Sequence, residues 1–266
     1  MTAHPEAPET ATATYVFAVG RRLDPAVLAG VTGLAVGFPV RGLTFGSLTA
    51  VVQHVPADEF TQEAWQERLS DRAELERCAR AHHEVVTRAA TCGPTVPLAL
   101  ATLYRGDDRA RQALAEDTPR FAATLDRVEG HAEWGVKVWV PAAAPQRPGT
   151  AAAPSLRGGG GAGRAYLERK RGLRQAREHH HERALRIAED VDAALRRLAT
   201  AARRLRPHTP EMTGEKNRVQ VLNAAYLVTA VRERELRDAA ETWRRRTGVD
   251  VEVSGPWVPY SFVGEG

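Results

Sequence analysis

The sequence predicts an α+β protein of two domains. Residues 14–140 read as a ferredoxin-like α+β domain, and residues 164–254 as a second α+β domain built around one long, coiled-coil-like helix. Three observations predict this. Strand and helix signals alternate through the first half. A stretch rich in Pro, Ala and Gly, residues 141–163, then interrupts the chain. After it, a very long helical signal runs from 164 to 206, with regular 3–4 spacing from Ala184 onward.

In the first half, residues 14–20 (TYVFAVG) are β-branched and aromatic and read as a strand. Asp24-Pro25 sets an N-cap before a proline at the first helical position, so a short helix follows. Residues 36–41 and 48–55 read as the next strands, joined through Gly42 and Gly46. Residues 61–91 are helical in pattern, with a cap signal at Ser70-Asp71. A short apolar strand spans 95–100 after Gly93-Pro94. Residues 107–128 form an amphipathic helix that opens on two acids, which suit its positive end. Residues 134–140 (WGVKVWV) alternate and close the half as a strand. The order suggests a mostly antiparallel sheet covered on one face.

In the second half, Pro207 and Pro210 stop the long helix. Its regular stripe is Ala184, Ile187, Val191, Ala194, Leu198, Ala201 and Leu205, widened by Leu195 and Ala202. Such a stripe packs on its own sheet and presents a coiled-coil-like seam. The charged stretch before it, 164–182, is expected to project or to pair with another helix. Residues 218–228 read as a strand, 232–247 as a helix and 249–253 as a last strand. Residues 1–13 read as a disordered tail, and 255–266 as a Pro/aromatic tail.

Composition narrows the function class. Apolar residues at 43 % support a core, and charged residues at 26 % are ordinary. Residues 1–13 lack a basic start and an apolar run, no stretch is apolar enough to span a membrane, and two cysteines make no disulfide framework. The expectation is a cytoplasmic protein with no membrane contact. Charge is uneven. Residues 1–160 carry 16 Lys/Arg against 18 Asp/Glu, and residues 161–266 carry 21 against 15. The basic half admits nucleic acid, an anionic surface or an acidic protein as partner.

No pattern of catalytic or ligand-binding residues emerges. Gly158, Gly160 and Gly163 fit GxGxxG, but a linker precedes them where a dinucleotide loop needs a strand. His83-Glu84 begins like HExxH, with Thr87 in the second ligand's place. His179, His180 and His181 point in different directions on a helix and cannot share one metal. Cys78 and Cys92 have no zinc spacing. The acid pairs Asp107-Asp108 and Glu189-Asp190 lie at a helix start and on a helix surface. The reading is therefore no enzyme, with no catalytic, cofactor-binding or metal residues and no cofactor, and the partner-binding residues unknown. Along 164–206, 13 Lys/Arg are spread around the helix among 6 acids, with one aromatic, Tyr166. A nucleic-acid-binding module therefore stands second.

Several stretches resemble one family. The C-terminal GPWVPYSFV, residues 255–263, is similar to the GPWPPYSF ending of the gas vesicle GvpL/GvpF family. So are residues 15–20, 81–86 (AHHEVV), 95–98 (TVPL), 133–138 (EWGVKV), 163–170 (GRAYLERK) and 223–228 (NAAYLV), in family order. The chain departs from the pattern at Ala99-Leu100-Ala101-Thr102, where the family commonly has Arg-Phe-Gly-Thr, and at Val258, which replaces a proline. The resemblance implies an N-terminal α+β domain and a C-terminal domain with an extended helix. It also implies a minor gas-vesicle component or assembly factor, located in the cytoplasm and on gas vesicles. Such a protein binds the very hydrophobic shell protein before polymerisation, limits its aggregation, and contacts other accessory proteins. The tail has two readings, a partner-binding peptide or a clasp laying Trp257, Tyr260 and Phe262 across its own domain. The clasp is favoured, since exposed aromatics invite aggregation.

Overall fold

Tyr15 and Phe17 point to one side of the first strand and Val16 and Val19 to the other, and all four are fully buried. That fact organises the first unit. In the computed structural model, which describes residues 11–142, 161–208, 214 and 217–263, the chain forms two compact units. One is Met1–Ala132 with Pro256–Gly266, and the other is Glu133–Gly255.

The first sheet has the order β2-β3-β1-β4, with β5 also on β1. Its strands are β1 (Thr12–Gly20), β2 (Val40–Phe45), β3 (Leu48–Pro56), β4 (Thr95–Pro97) and β5 (Leu103–Tyr104). Every described pairing is antiparallel, with Tyr15 opposite Gln53 and a register shift between Val16 and Ala18. On one face, Tyr15, Phe17, Val51 and Val55 meet Trp65, Cys78, Val85 and Ala89 from α1 (Gln62–Ser70) and α2 (Arg72–Ala90). On the other, Val16, Val19, Ala50 and Val52 meet Ala110, Leu114, Phe121 and Leu125 from α3 (Asp107–Glu116) and α4 (Thr118–Val128). The expected sheet covered on one face is thus corrected to a sheet covered on both. The cause is visible in β1, which is apolar on both sides over 15–19 rather than alternating, as a doubly buried strand must be.

Two helices expected to be continuous are broken at an aspartate. Asp71 belongs to neither helix; extended at φ −83 and ψ 120, it caps α2, accepting from Ala73 N and Glu74 N. Asp117 separates α3 from α4, and Pro119 lies in the first turn of α4. The crossover from β1 to β2 holds only the 3-10 turn Pro25–Leu28, capped by Asp24. Gly30, Gly33 and Gly37, all at positive φ, stop it from lengthening. The strand expected at 36–41 accordingly begins at Val40.

The second sheet has the order β7-β8-β6-β9. Along the chain it runs β6 (His131–Pro141), α5 (Gly161–Arg196), β7 (Ala201–Arg204), β8 (Arg218–Thr229), α6 (Glu233–Thr247) and β9 (Asp250–Trp257). This is the β-α-β-β-α-β succession that the first unit lacks for want of its first helix. Residues 134–140, expected to close the first domain, instead pair in this second sheet. The 141–163 linker falls mainly outside the described residues, as does most of the 1–13 tail; α5 already begins at Gly161.

The helix expected to reach Arg206 ends at Arg196. Two tight turns, Leu198 N to Leu195 O and Ala199 N to Arg196 O, close it, and Thr200 N then donates to Leu227 O. Residues 201–204 pair antiparallel with β8, from Ala201 opposite Leu227 to Arg204 opposite Ala224. Sheet bonds there replace helical ones, so the continuing 3–4 spacing at Ala201 and Leu205 misleads. At about 1.5 Å per residue α5 is roughly 54 Å long. Its buried stripe, Ala184, Ala188, Val191 and Leu195, belongs to the part of the helix that packs on β8 and α6. Before Ala184 every side chain described is exposed.

Candidate functional site

The polar groups that sequence alone brought forward are dispersed. His82 is buried, with Nδ1 2.8 Å from the Tyr15 hydroxyl. Burial pushes its pKa down to about 4 and raises that of Tyr15. His83 is half-buried, its Nε2 3.4 Å from Thr87 Oγ1. Cys78 is buried and Cys92 half-buried, both as free thiols. Glu189 and Asp190 are exposed, as is His179; His180 and His181 side chains, Gly158 and Gly160 lie outside the description. Among the described residues no three His, Cys, Asp or Glu side chains are grouped to hold a metal.

Two carboxylates are held in networks. Asp107, at the start of α3, accepts from Thr14 Oγ1 at 2.9 Å and from Arg41 at 2.8 and 2.9 Å, with His54 Nε2 at 3.1 Å. Burial works against its charge, but these bonds outweigh it and hold the carboxyl below the usual range. In the second unit, buried Asp192 accepts from the Tyr226 hydroxyl at 2.7 Å, Arg196 at 3.0 Å and Arg204 at 2.7 Å. Here too burial is outweighed, and the carboxyl is held low while Tyr226 is raised by burial and then by Asp192. Both networks tie a helix to a sheet and leave the carboxylate oxygens engaged. Cations of the second unit are likewise shared: Arg218 stacks on Trp139 at 4.4 Å and pairs with Asp250 and Glu252. Arg237 covers Trp134 at 4.6 Å. No aromatic platform beside free cations arises from them, so this arrangement does not carry the nucleic-acid reading.

The feature with the character of a recognition surface is the tail. Pro256–Gly266 belongs to the first unit. Trp257 and Tyr260 each bring a ring centroid to 5.8 Å from that of His83 on α2. Val258 packs on the Tyr15–Phe17 core, Pro259 is buried, and Val263 packs on the opposite core with Leu114 and Phe121. Arg127 of α4 donates to the Phe262 carbonyl. The tail thus touches the packing on both faces of one sheet, on the side of its β4 edge. The domain it clasps is the first one.

Two clefts flank it. One, of about 440 Å³, is lined by Thr91, Pro94, Val128, His131, Trp257 and Pro259 among others. The second, of about 390 Å³, lies between Leu98, Ala99, Tyr104, Arg120, Phe121 and Tyr260. Most of the lining comes from 89–104 and 253–263, which hold no charged residue. Trp257 remains 46 % and Tyr260 36 % exposed. Half-exposed Trp and Tyr over a mainly uncharged concave surface, with Asp117 and Arg120 the charged members of the second cleft, are what protein interfaces favour. Between Ala99 and Thr102 of the second cleft, Ala101 packs on the Tyr15–Phe17 core with φ 73, the one non-glycine residue at positive φ among those described, and it stands where the resemblance has glycine.

One feature was not singled out from the sequence. Gln53, in the apolar run of β3, is fully buried. Its Oε1 accepts from Leu34 N at 2.8 Å and Ala35 N at 3.3 Å. Its Nε2 donates to the carbonyls of Thr32, Ala35 and Phe38, each at 2.8 Å. A lone amide facing a Gly-rich loop was the available signal.

Comparison with known proteins adds the following. Residues 13–264 match the family described as gas vesicle synthesis protein GvpL/GvpF. The chain is 39 % identical over 254 residues to gas vesicle protein L of Streptomyces sp. (strain CB03234), covering 94 % of this chain and 92 % of the relative. Its fold is similar to the crystal structure of gas vesicle protein GvpF from Anabaena sp. PCC7120, with a TM-score of 0.67 at 14 % identity, over 96 % of this chain and 97 % of that one. GvpF from Microcystis aeruginosa gives 0.62 at 16 % identity, over 95 % and 99 %.

Proposed function

This chain belongs to the gas vesicle GvpL/GvpF family, and from that premise we propose that it is an assembly factor for the vesicle shell. It binds the hydrophobic shell subunit before polymerisation, limits its aggregation, and contacts other gas vesicle proteins. Gas vesicle association fits a chain in which, among the described residues, no helix is long and apolar enough to cross a membrane. It acts by binding rather than by catalysis. The observation that carries this reading is the mainly uncharged surface along the tail, where Trp257 and Tyr260 stand half-exposed between two clefts. An apolar monomer awaiting addition to a lattice needs a partner that covers its surface reversibly. Aromatic anchors over shallow clefts supply contact area at low entropy cost. Co-expression of the shell protein with tagged chain, followed by pull-down, is the test. Retention of shell protein supports the reading; no association with any vesicle protein, together with normal vesicles in a deletion strain, removes it.

A further inference from the structure

The crossover between β1 and β2 presents a second surface, and this one carries no charged side chain. Residues 25–40 hold no Asp, Glu, Lys, Arg or His, where average composition places about four charges. The segment has two sides. Leu28, Val31, Leu34 and Ala35 are buried in the first core. Ala29, Gly30, Thr32, Val36, Gly37 and Pro39 face solvent, and Val36 is 84 % exposed.

The loop is also locked from beneath. Gln53 Oε1 accepts from two N–H groups, and the two hydrogens of its NH₂ group are shared among three carbonyls, all within the backbone of 32–38. A Cβ on Gly33 would lie 2.5 Å from Gln53 Oε1, so that position is closed to other residues. Asp24 N donates to Cys92 Sγ at the loop's start. An apolar tip that is ordered before any partner arrives loses little entropy on docking.

We infer that residues 29–39 are a preordered docking surface for an uncharged, apolar face of a partner, with Val36 as the side chain inserted into it. The loop has no charged side chain to pair with an anionic lipid or an acidic peptide, and its Val31, Leu34 and Ala35 N–H groups are already bonded to Leu28 O and Gln53 Oε1 rather than open to an anion; burial of apolar surface is what rewards contact. On the function proposed above, which this inference rests on, that partner is the shell subunit before polymerisation. Val231 is as exposed, at 86 %, but is followed by Arg232, Glu233, Arg234 and Glu235 and has no such setting.

Tagged wild type, Val36→Asp, Val36→Lys and Val231→Asp are each co-expressed with the shell protein. Shell protein retained on the tag is measured beside the melting temperature of each variant. Both Val36 variants are expected to retain about a tenth of the wild-type amount at unchanged melting temperature, and Val231→Asp to retain all of it. Full retention by the Val36 variants overturns this inference and leaves the proposed function standing. Loss with one sign of charge only overturns it too, since recognition is then electrostatic. Equal loss with Val231→Asp overturns it as non-specific. If wild type itself retains none, the proposed function is what fails.

Discussion

The Tyr260 hydroxyl lies 3.4 Å from His83 Nδ1, although 177 positions separate the two residues in the chain. That contact, with Val258 and Val263 seated in opposite cores, makes the tail part of the first unit's packing.

Removing residues 256–266 therefore costs stability as well as binding surface. Loss of the partly buried Val258 and Val263 and of buried Pro259 amounts to about 3 kcal/mol. Urea unfolding of the truncated chain is expected to show a first-unit midpoint well below wild type. Tyr260→Phe, which keeps the ring and deletes the hydroxyl 3.4 Å from His83 Nδ1, is expected to shift it far less than the truncation does. An unchanged midpoint after truncation would show that the tail is merely laid on the surface.

Ala101→Gly is expected to stabilise. Positive φ costs alanine about 1–2 kcal/mol, and the greater freedom of glycine in the unfolded chain returns part of this. The net gain is about 0.5 kcal/mol, read as a higher denaturant midpoint with unchanged slope.

Gln53→Leu keeps the volume and deletes the amide. Two N–H groups and three carbonyls of the 32–38 loop then lose their partner. The expected loss is about 4 kcal/mol. Hydrogen exchange at the Leu34 and Ala35 amides is the specific readout, because a cavity elsewhere in the core would not accelerate those two sites selectively.

Stability should fall on acidification well before the carboxylates titrate. His82 has its pKa lowered from 6.5 to about 4 by burial. The unfolded chain therefore takes up a proton that the folded chain refuses. The neutral-histidine contribution is complete above pH 6.5 and is lost as pH falls through 6.5 towards 4, at most roughly 3 kcal/mol. Asp107 and Asp192, with lowered pKa values, contribute above the unfolded carboxylate range and lose that contribution at still lower pH. Denaturant midpoints at pH 7 and pH 5 should differ clearly in wild type and much less in His82→Gln.

The sequence was informative where chemistry is local. β1, β3 and β8 show as apolar runs, and Asp24 and Asp71 show as caps because a short acid before a helical pattern satisfies free N–H groups. Partnering was not legible. Residues 134–140 read as a strand but gave no sign of which sheet they join, since pairing is decided by contacts far apart in sequence. Helical spacing at Ala201 and Leu205 hid β7, because four edge-strand residues are too few to announce a period of two. The tail's aromatics suggested a clasp, yet only the fold shows that it closes on the N-terminal packing. Gln53 was passed over because one polar residue in an apolar strand ordinarily faces water.

A chain that departs from its first unit at Ala132 and rejoins it at Pro256 has a consequence during synthesis. At about 5–20 residues per second, the ribosome needs roughly ten seconds to make Glu133–Gly255. Throughout that interval the nascent first unit waits with the seats of Val258 and Val263 empty. A stalled or prematurely terminated product keeps those apolar seats open, and with them the first unit's exposure to aggregation.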